Sequence, residues 1–329
     1  MKRAIAAGLA LAAGLGVSQA LAQAPANDAA VQAHLAAAKA ASGLDFAGIL
    51  GVTCLPDAPP PARTAASGPR SDPPRSAWYA RPQQVFDDLY WVGTRIHSAW
   101  ALKTSGGIII IDTLYAYAAQ PEIVDGLKAL KLDPKTIKYV IISHGHGDHD
   151  QGARLLQDRF GAHVIMGGPD WDVVAAQPNM PGGGPPKRDI AATDGQKLTL
   201  GDTTVTIYAT PGHTLGTLSL IFPVKDHGRP LTVAYSGGTA FNFRHEPSRF
   251  DIYIASQRKM EKVAADAGAT VVLSNHSIFD NAYERARLAR LPRLKGEPGP
   301  FEVGAGGVVR YFKVLEECAT AVKLKEFGA

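Results

Sequence analysis

Cysteine is almost missing from this chain: 329 residues contain two, Cys54 and Cys318. Two cysteines permit at most one disulfide. In an oxidising compartment it would tie the start of the mature chain to its end. The alternative is two unpaired thiols, since sequence does not give the distance between them. Excess charge is also scarce. The formal net charge is +4, falling to +2 without Lys2 and Arg3, and no run of basic residues follows. This argues against a nucleic-acid partner. Long apolar runs are lacking too. The one at Ala4–Val17 is too short to anchor the chain across a bilayer. No internal repeat is present.

What remains is an ordinary globular composition, 46% hydrophobic and 19% charged, with enough apolar residues for a sizeable core. The N-terminus has the layout of a secretory signal peptide over 1–22: Lys2 and Arg3, then the apolar run, then small residues at Ser18, Ala20, Ala22 and Ala24. Cleavage after Ala22 or Ala24 would place the mature protein in the periplasm or outside the cell; a buried N-terminal helix is the competing reading. Residues 23–84 read as a helix over 28–42, capped by Asn27 or Asp28 and stopped at Gly43, then a Pro- and Ser-dense extended segment over 55–75.

From Val85 to Ala329 the pattern is that of a catalytic domain. FDDLYWVGT, SAWALKTS and GIIIIDT read as strands, 121–132 as a helix, 137–142 as a buried strand, 152–160 as a helix and 163–166 as a strand. Strands over 197–200, 203–209, 216–222 and 231–236 precede a helix over 250–267 and a strand over 270–273. A last helix lies within 303–327. Two sheets with helices outside, a four-layer αββα sandwich, account for this order. The loop 177–186, with seven Gly or Pro, is a candidate lid over a cleft.

The chemistry lies at three strand ends. His144-Gly-His146-Gly-Asp148-His149 follows the strand 137–142; His213 sits in Thr-Pro-Gly-His-Thr after the strand 203–209; His276 sits in Ser-Asn-His-Ser after the strand 270–273. Imidazole and carboxylate are common ligands of catalytic zinc, and sheet ends on one edge converge on one site. His34, His97, His163, His227 and His245 lack such settings and read as structural or surface residues.

HxHxDH with a distant GHT and a late third His resembles the metallo-β-lactamase superfamily of binuclear metal hydrolases, over about Val85 to Ala282. The resemblance implies two Zn2+ per chain. It makes Asp112 a loop-bracing carboxylate rather than a ligand. At 234–239 (Ala-Tyr-Ser-Gly-Gly-Thr) the chain offers neither the bridging Asp of glyoxalase II-like thioesterases nor the Cys of another lactamase subclass. It is most similar to subclass B3. Residue by residue, that implies His144, His146 and His213 on the first zinc and Asp148, His149 and His276 on the second. Asp148, His144 and His146 are then the catalytic residues, with Tyr235 or Asn242 as donor to the oxyanion. The implied activity is β-lactam hydrolysis; alternatives are another ester, lactone or amide, or a non-catalytic zinc-binding role. The expected partner is a small molecule with a carbonyl. Where subclass B3 usually seats the substrate carboxylate on a Ser, this chain has Gly238, with Ser236 or Thr239 as possible substitutes.

Overall fold

In the computed structural model, residues 20–55, 72–243 and 245–328 are described. The expected signal peptide, up to residue 19, and the Pro-rich stretch 56–71 lie outside them. Seven strands form one sheet in chain order: β1 (Gln83–Gln84), β2 (Leu89–Trp91), β3 (Trp100–Thr104), β4 (Gly107–Ile111), β5 (Ile137–Ile141), β6 (His163–Gly167) and β7 (Ile190–Ala192). The second sheet runs β12-β11-β10-β9-β8, from β8 (Gln196–Leu200), β9 (Thr203–Ala209), β10 (Leu218–Asp226), β11 (Arg229–Ser236) and β12 (Val271–Ser274). β4, β5 and β6 are parallel, as are β11 and β12. The ends of these parallel strands, together with the turn after β9, carry the His-bearing segments.

Three apolar layers hold the fold together. Trp100, Ile109, Ile141, Ile207, Phe222 and Leu273 are among the residues that pack between the sheets. Fully burying each such side chain contributes about 1.5–3 kcal/mol. A second layer joins the first sheet to its outer helices through Ile110, Val140, Leu127 and Leu156. A third joins the second sheet to the helix Pro247–Asp266 and the C-terminal helix Gly304–Phe327 through Val272, Phe250, Tyr253 and Tyr311. This is the αββα sandwich the element order predicts.

The N-terminal segment belongs to that third layer. A helix over Ala20–Ser42 lies on the C-terminal helix, with Val31 and Ala38 buried and the Phe46 ring edge-on to Tyr311 at 5.3 Å. The Cys54–Cys318 disulfide then fastens the two ends of the chain, residues 264 apart in sequence. The expected cap at Asn27 or Asp28 is not where this helix starts. The helix is already under way at Ala20, where the described residues begin, and runs through Asn27 and Asp28. The helix expected at 121–132 is helical from Ala119 to Ala129, a wide turn of helix over Ala119–Val124 running into an α-helix over Asp125–Ala129.

That wide turn buries Glu122. Its Oε1 accepts the Ala80 amide at 3.1 Å and its Oε2 has no partner. Burial pushes its pKa up to about 8, against the Ala80 amide and the Arg75 charge. A raised folded-state pKa means stability is present in full below about 4.5 and is lost as pH rises through about 8. Glu122→Gln is therefore expected to leave the melting temperature near wild type at pH 4.5 and to raise it at pH 9. Parallel melting curves across that range would contradict this.

Candidate metal centre

Asp112, directly after β4, is the anchor of the site. It is fully buried, and its backbone adopts a left-handed φ of 60°. Its Oδ1 accepts the Ser143 amide at 2.7 Å. Its Oδ2 accepts the Ser143 hydroxyl at 2.8 Å, the Tyr235 hydroxyl at 2.7 Å and His149 Nδ1 at 3.0 Å. The loop after β5 is thus bolted to β4, and β11 of the other sheet is bolted to the same carboxylate. A single helical turn, Gly147–Asp150, then presents Asp148 and His149, with the His149 carbonyl accepting both the amide and the hydroxyl of Thr113 at 2.7 Å.

Two sets of donor atoms converge above this anchor. In the first, His213 Nε2 lies 3.0 Å from His144 Nε2 and 3.1 Å from His146 Nδ1. In the second, Asp148 Oδ2, His149 Nε2 and His276 Nε2 lie 3.1–3.2 Å apart. The tautomers follow from the outer nitrogens. His144 Nδ1 faces the Gly237 carbonyl at 2.8 Å and His213 Nδ1 the Ala240 carbonyl at 2.7 Å. A carbonyl only accepts, so both Nδ1 atoms carry the proton and both Nε2 lone pairs point at each other. Two lone pairs 3.0 Å apart repel. A cation between them converts that repulsion into ligation, and neighbouring ligands on a tetrahedral zinc sit about 3.3 Å apart. The residues fit a metal ion.

Electrostatics agrees. Burial first, then neighbouring imidazoles, hold His144 well below its usual pKa and His213 down to about 3, so both stay neutral and ready to ligate. Burial opposes the charge on Asp148, but His149 and His276 outweigh it and keep the carboxyl well below the usual carboxylate range. His149 differs: burial works against its charge, yet Asp148 and Asp112 flank it and push it up to about 10. A metal entering there takes the place of that proton.

The metallo-beta-lactamase superfamily profile matches residues 92–274, more than half of the chain. The chain belongs to the metallo-β-lactamase superfamily. It is a metal-dependent hydrolase by that membership. Among curated proteins, it is 28% identical over 208 residues to a hydroxyacylglutathione hydrolase of Acidiphilium cryptum, covering 61% of this chain and 78% of that one. Among solved structures, it is similar to the subclass B3 metallo-β-lactamase BJP-1 of Bradyrhizobium japonicum, at 28% identity and a TM-score of 0.61, over 72% of this chain and 91% of that one. The FEZ-1 metallo-β-lactamase of Legionella gormanii shares the fold at 21% identity and a TM-score of 0.65, over 76% and 98%.

All six residues that the superfamily motif predicts as ligands come together. Other expectations need correction. Tyr235 is fully buried with its hydroxyl spent on Asp112, so it faces away from the cleft and positions the anchor rather than meeting an oxyanion. Ser236 and Thr239 are buried as well, and Thr239 Oγ1 pairs with the Tyr311 hydroxyl at 3.2 Å, so neither faces a substrate. Gly238 is glycine for a steric reason: a Cβ there would lie 2.6 Å from His213 Cβ. The loop 177–186 is not among the residues that wall the cleft beside His146 and His213; its Gly182 packs against Gln151 and Ala116. Its flank is pinned to the outer helix Ala153–Phe160 through Arg154 to Pro185 O and Gln157 to Lys187. His97, read from sequence as structural or surface, stands beside the second trio with Nε2 3.6 Å from Asp148 Oδ2.

Two further residues escaped sequence reasoning. Asp170, buried, accepts Gly145 N and Thr214 Oγ1 at 2.7 Å and Gly216 N at 3.0 Å, lashing the first His loop to the His213 loop. Asn275 donates to the Gly237 carbonyl at 2.7 Å and to Ser143 Oγ at 3.2 Å, joining the ends of β5, β11 and β12.

Tyr235→Phe strips one donor from a buried carboxylate and is expected to cost about 1–3 kcal/mol of stability. Metal content by elemental analysis should stay unchanged and kcat within about tenfold. A fall of about 10²–10³ in kcat with the metal retained, the signature of a lost oxyanion donor, would restore Tyr235 to the catalytic set.

Proposed function

We propose that this chain is a hydrolase with two zinc ions, that it attacks the carbonyl carbon of a small molecule, and that its substrate is a β-lactam. The make-up of the two trios carries this reading: five imidazoles and one carboxylate converge, and the end of β11 sets Gly237 and Gly238 beside His144 and His213 where a thioesterase-like site would set a bridging aspartate. Five nitrogens to one carboxylate favours zinc over harder cations. The likeness to a subclass B3 enzyme supports the same choice of substrate. The charged start and apolar run of the first 22 residues support export to the periplasm or beyond.

Bound zinc lowers the pKa of water toward about 7 and polarises a carbonyl oxygen. The chain supplies the rest. Asp148 is the one carboxylate among the convergent residues, so it orients the attacking water and passes its proton toward the leaving atom. Beside His146 and His213 opens a cleft of about 350 Å³, walled by Thr214, Leu215, Asn242 and Arg249. Arg249 Nε is buried without a hydrogen-bond partner; the nearest carboxylate, Glu246, stays 3.7 Å away. This cation stands on the wall of that cleft, and it is the group that seats the acid of a carboxylate-bearing substrate. No helix among the described residues is long and apolar enough to cross a membrane.

A second reading, hydrolysis of an ester, lactone or thioester at the same metals, is favoured by the 28% identity to a hydroxyacylglutathione hydrolase.

The deciding experiment is turnover of a chromogenic cephalosporin and a carbapenem by the zinc-loaded protein, with and without a chelator. Chelator-sensitive hydrolysis is expected. No turnover from a protein holding two zincs, alongside cleavage of a hydroxyacylglutathione thioester, would overturn the β-lactam assignment in favour of the second reading. Arg249→Ala is expected to raise KM for the cephalosporin about 10- to 100-fold with kcat nearly unchanged, the loss of one charge-assisted hydrogen bond. An unchanged KM would remove Arg249 from the substrate site.

A further inference from the structure

His97 lies in the turn between β2 and β3, and three sets of contacts fix where its ring stands. Thr94 Oγ1 accepts the His97 amide at 2.9 Å, and the Thr94 amide donates to the His97 carbonyl at 2.8 Å. His97 and His276 form an isolated antiparallel bridge, flanked by bonds from Ser98 N to Asn275 O and from Ser277 N to Ile96 O, both 2.8 Å. The Tyr115 ring packs edge-on against the imidazole at 5.2 Å and is itself stacked on Tyr117 at 5.5 Å. Fixed main chain and an aromatic neighbour leave the ring little freedom to turn.

The ring so held faces the second trio without belonging to it. His97 Nε2 is 3.6 Å from Asp148 Oδ2, and ligand atoms of His97, Asp148 and His276 lie within 4.8 Å of one another. His149 stands outside that group, its ring centroid 6.4 Å from that of His97, too far for the two to hold one ion. Burial shows which side His97 borders. The side chains of His97, Asp148 and His276 are 13%, 16% and 24% exposed, while His149 is fully buried. His97 is therefore on the open side of the second position, from which water and substrate arrive. A neutral imidazole carries one proton, and a carboxylate oxygen 3.6 Å away favours the tautomer that keeps it on Nε2. That distance is too long for a hydrogen bond, so the N–H is left for an atom that enters beside Asp148.

We propose that His97 is a catalytic residue: its Nε2–H donates a hydrogen bond to the leaving atom of the substrate, the ring nitrogen in a β-lactam. The proposal rests on the two-metal reading above. When water adds to the carbonyl carbon and the carbon–nitrogen bond breaks, the electron pair of that bond goes to the nitrogen. The nitrogen then takes the proton that Asp148 has drawn from the attacking water, and His97 keeps its own. Its part is to stabilise charge on the nitrogen between those two events, next to the carboxylate that ends it. A donor already fixed by its backbone and by Tyr115 does this without reorganising. The second position stays open to water and substrate, with a protein donor at its mouth.

The test compares substrates whose leaving nitrogens carry different charge, in His97→Leu, which has no donor, and His97→Gln, which keeps one. A penicillin leaves the charge localised on nitrogen, whereas a chromogenic cephalosporin with a conjugated nitroaromatic group spreads it. His97→Leu is expected to lose about 10²-fold in kcat on the penicillin, the effect of removing one such donor, and at least about tenfold less than that on the cephalosporin. His97→Gln should recover most of the penicillin loss. Zinc titration of the metal-free protein against a chromophoric chelator should find two zincs in both variants, each within about tenfold of wild-type affinity, below the usual effect of losing a partner that a metal ligand bonds to. Equal losses on the two substrates, or loss of the second zinc, would overturn the proposal in favour of a structural or ligand role. A wild-type protein that holds two zincs but cleaves esters and not lactams would refute the β-lactam reading alone. The variants would then be compared on an alkyl and a nitrophenyl ester, where a larger loss on the alkyl ester is expected and equal losses would overturn the proposal.

Discussion

One buried carboxylate, Asp112, holds the reactive edge of this molecule together. Four donors from three residues end on it: the Ser143 amide and hydroxyl, the Tyr235 hydroxyl and His149 Nδ1. Burying a charge is costly unless it is paired and hydrogen-bonded, and here every bond also fixes a piece of the metal centre. Ser143 sets where the His loop leaves β5. Tyr235 ties the second sheet to the first. His149 is held with Nδ1 occupied and Nε2 turned inward. The left-handed backbone at Asp112 is strain sustained by that network, of a kind that collects at functional sites.

Behind the anchor, the outer layer serves the same edge. The Gly237–Ala240 segment supplies the carbonyls that orient His144 and His213. That segment is braced by Tyr253, whose hydroxyl donates to the Thr239 carbonyl at 2.7 Å, and by Tyr311 on the C-terminal helix. The C-terminal helix is in turn clamped by the N-terminal helix and by the Cys54–Cys318 disulfide, whose Cα atoms are 4.7 Å apart. Parts of the chain with no chemistry of their own therefore control the tautomers of two imidazoles.

Much of this was legible in the sequence, because both relevant signals are local. Apolar runs mark the strands, and clustered His and Asp directly after them mark the ligands, so the sandwich and all six convergent residues follow from pattern and motif. What could not be read depends on contacts between segments distant in sequence. His97 looks like any loop histidine until the bridge to His276 brings it to Asp148. Asp170 and Asn275 bond to loops 44 and 38 residues away. Tyr235 misled for a different reason: β11 is buried at every position from Val233 to Ser236, so alternation along the strand does not reveal which side chains meet the cleft. Whether Cys54 and Cys318 meet was likewise a question only tertiary structure answers.

The central claim is that the inward-facing nitrogens form two adjacent metal positions. The most direct measurement is anomalous diffraction at the zinc edge from crystals of the zinc-loaded protein. Two peaks are expected, one about 2.0–2.1 Å from nitrogens of His144, His146 and His213 and the other at the same range from His149, His276 and an Asp148 oxygen. Peaks only at surface residues, with His144 and His213 turned apart and hydrogen-bonded elsewhere, would contradict it.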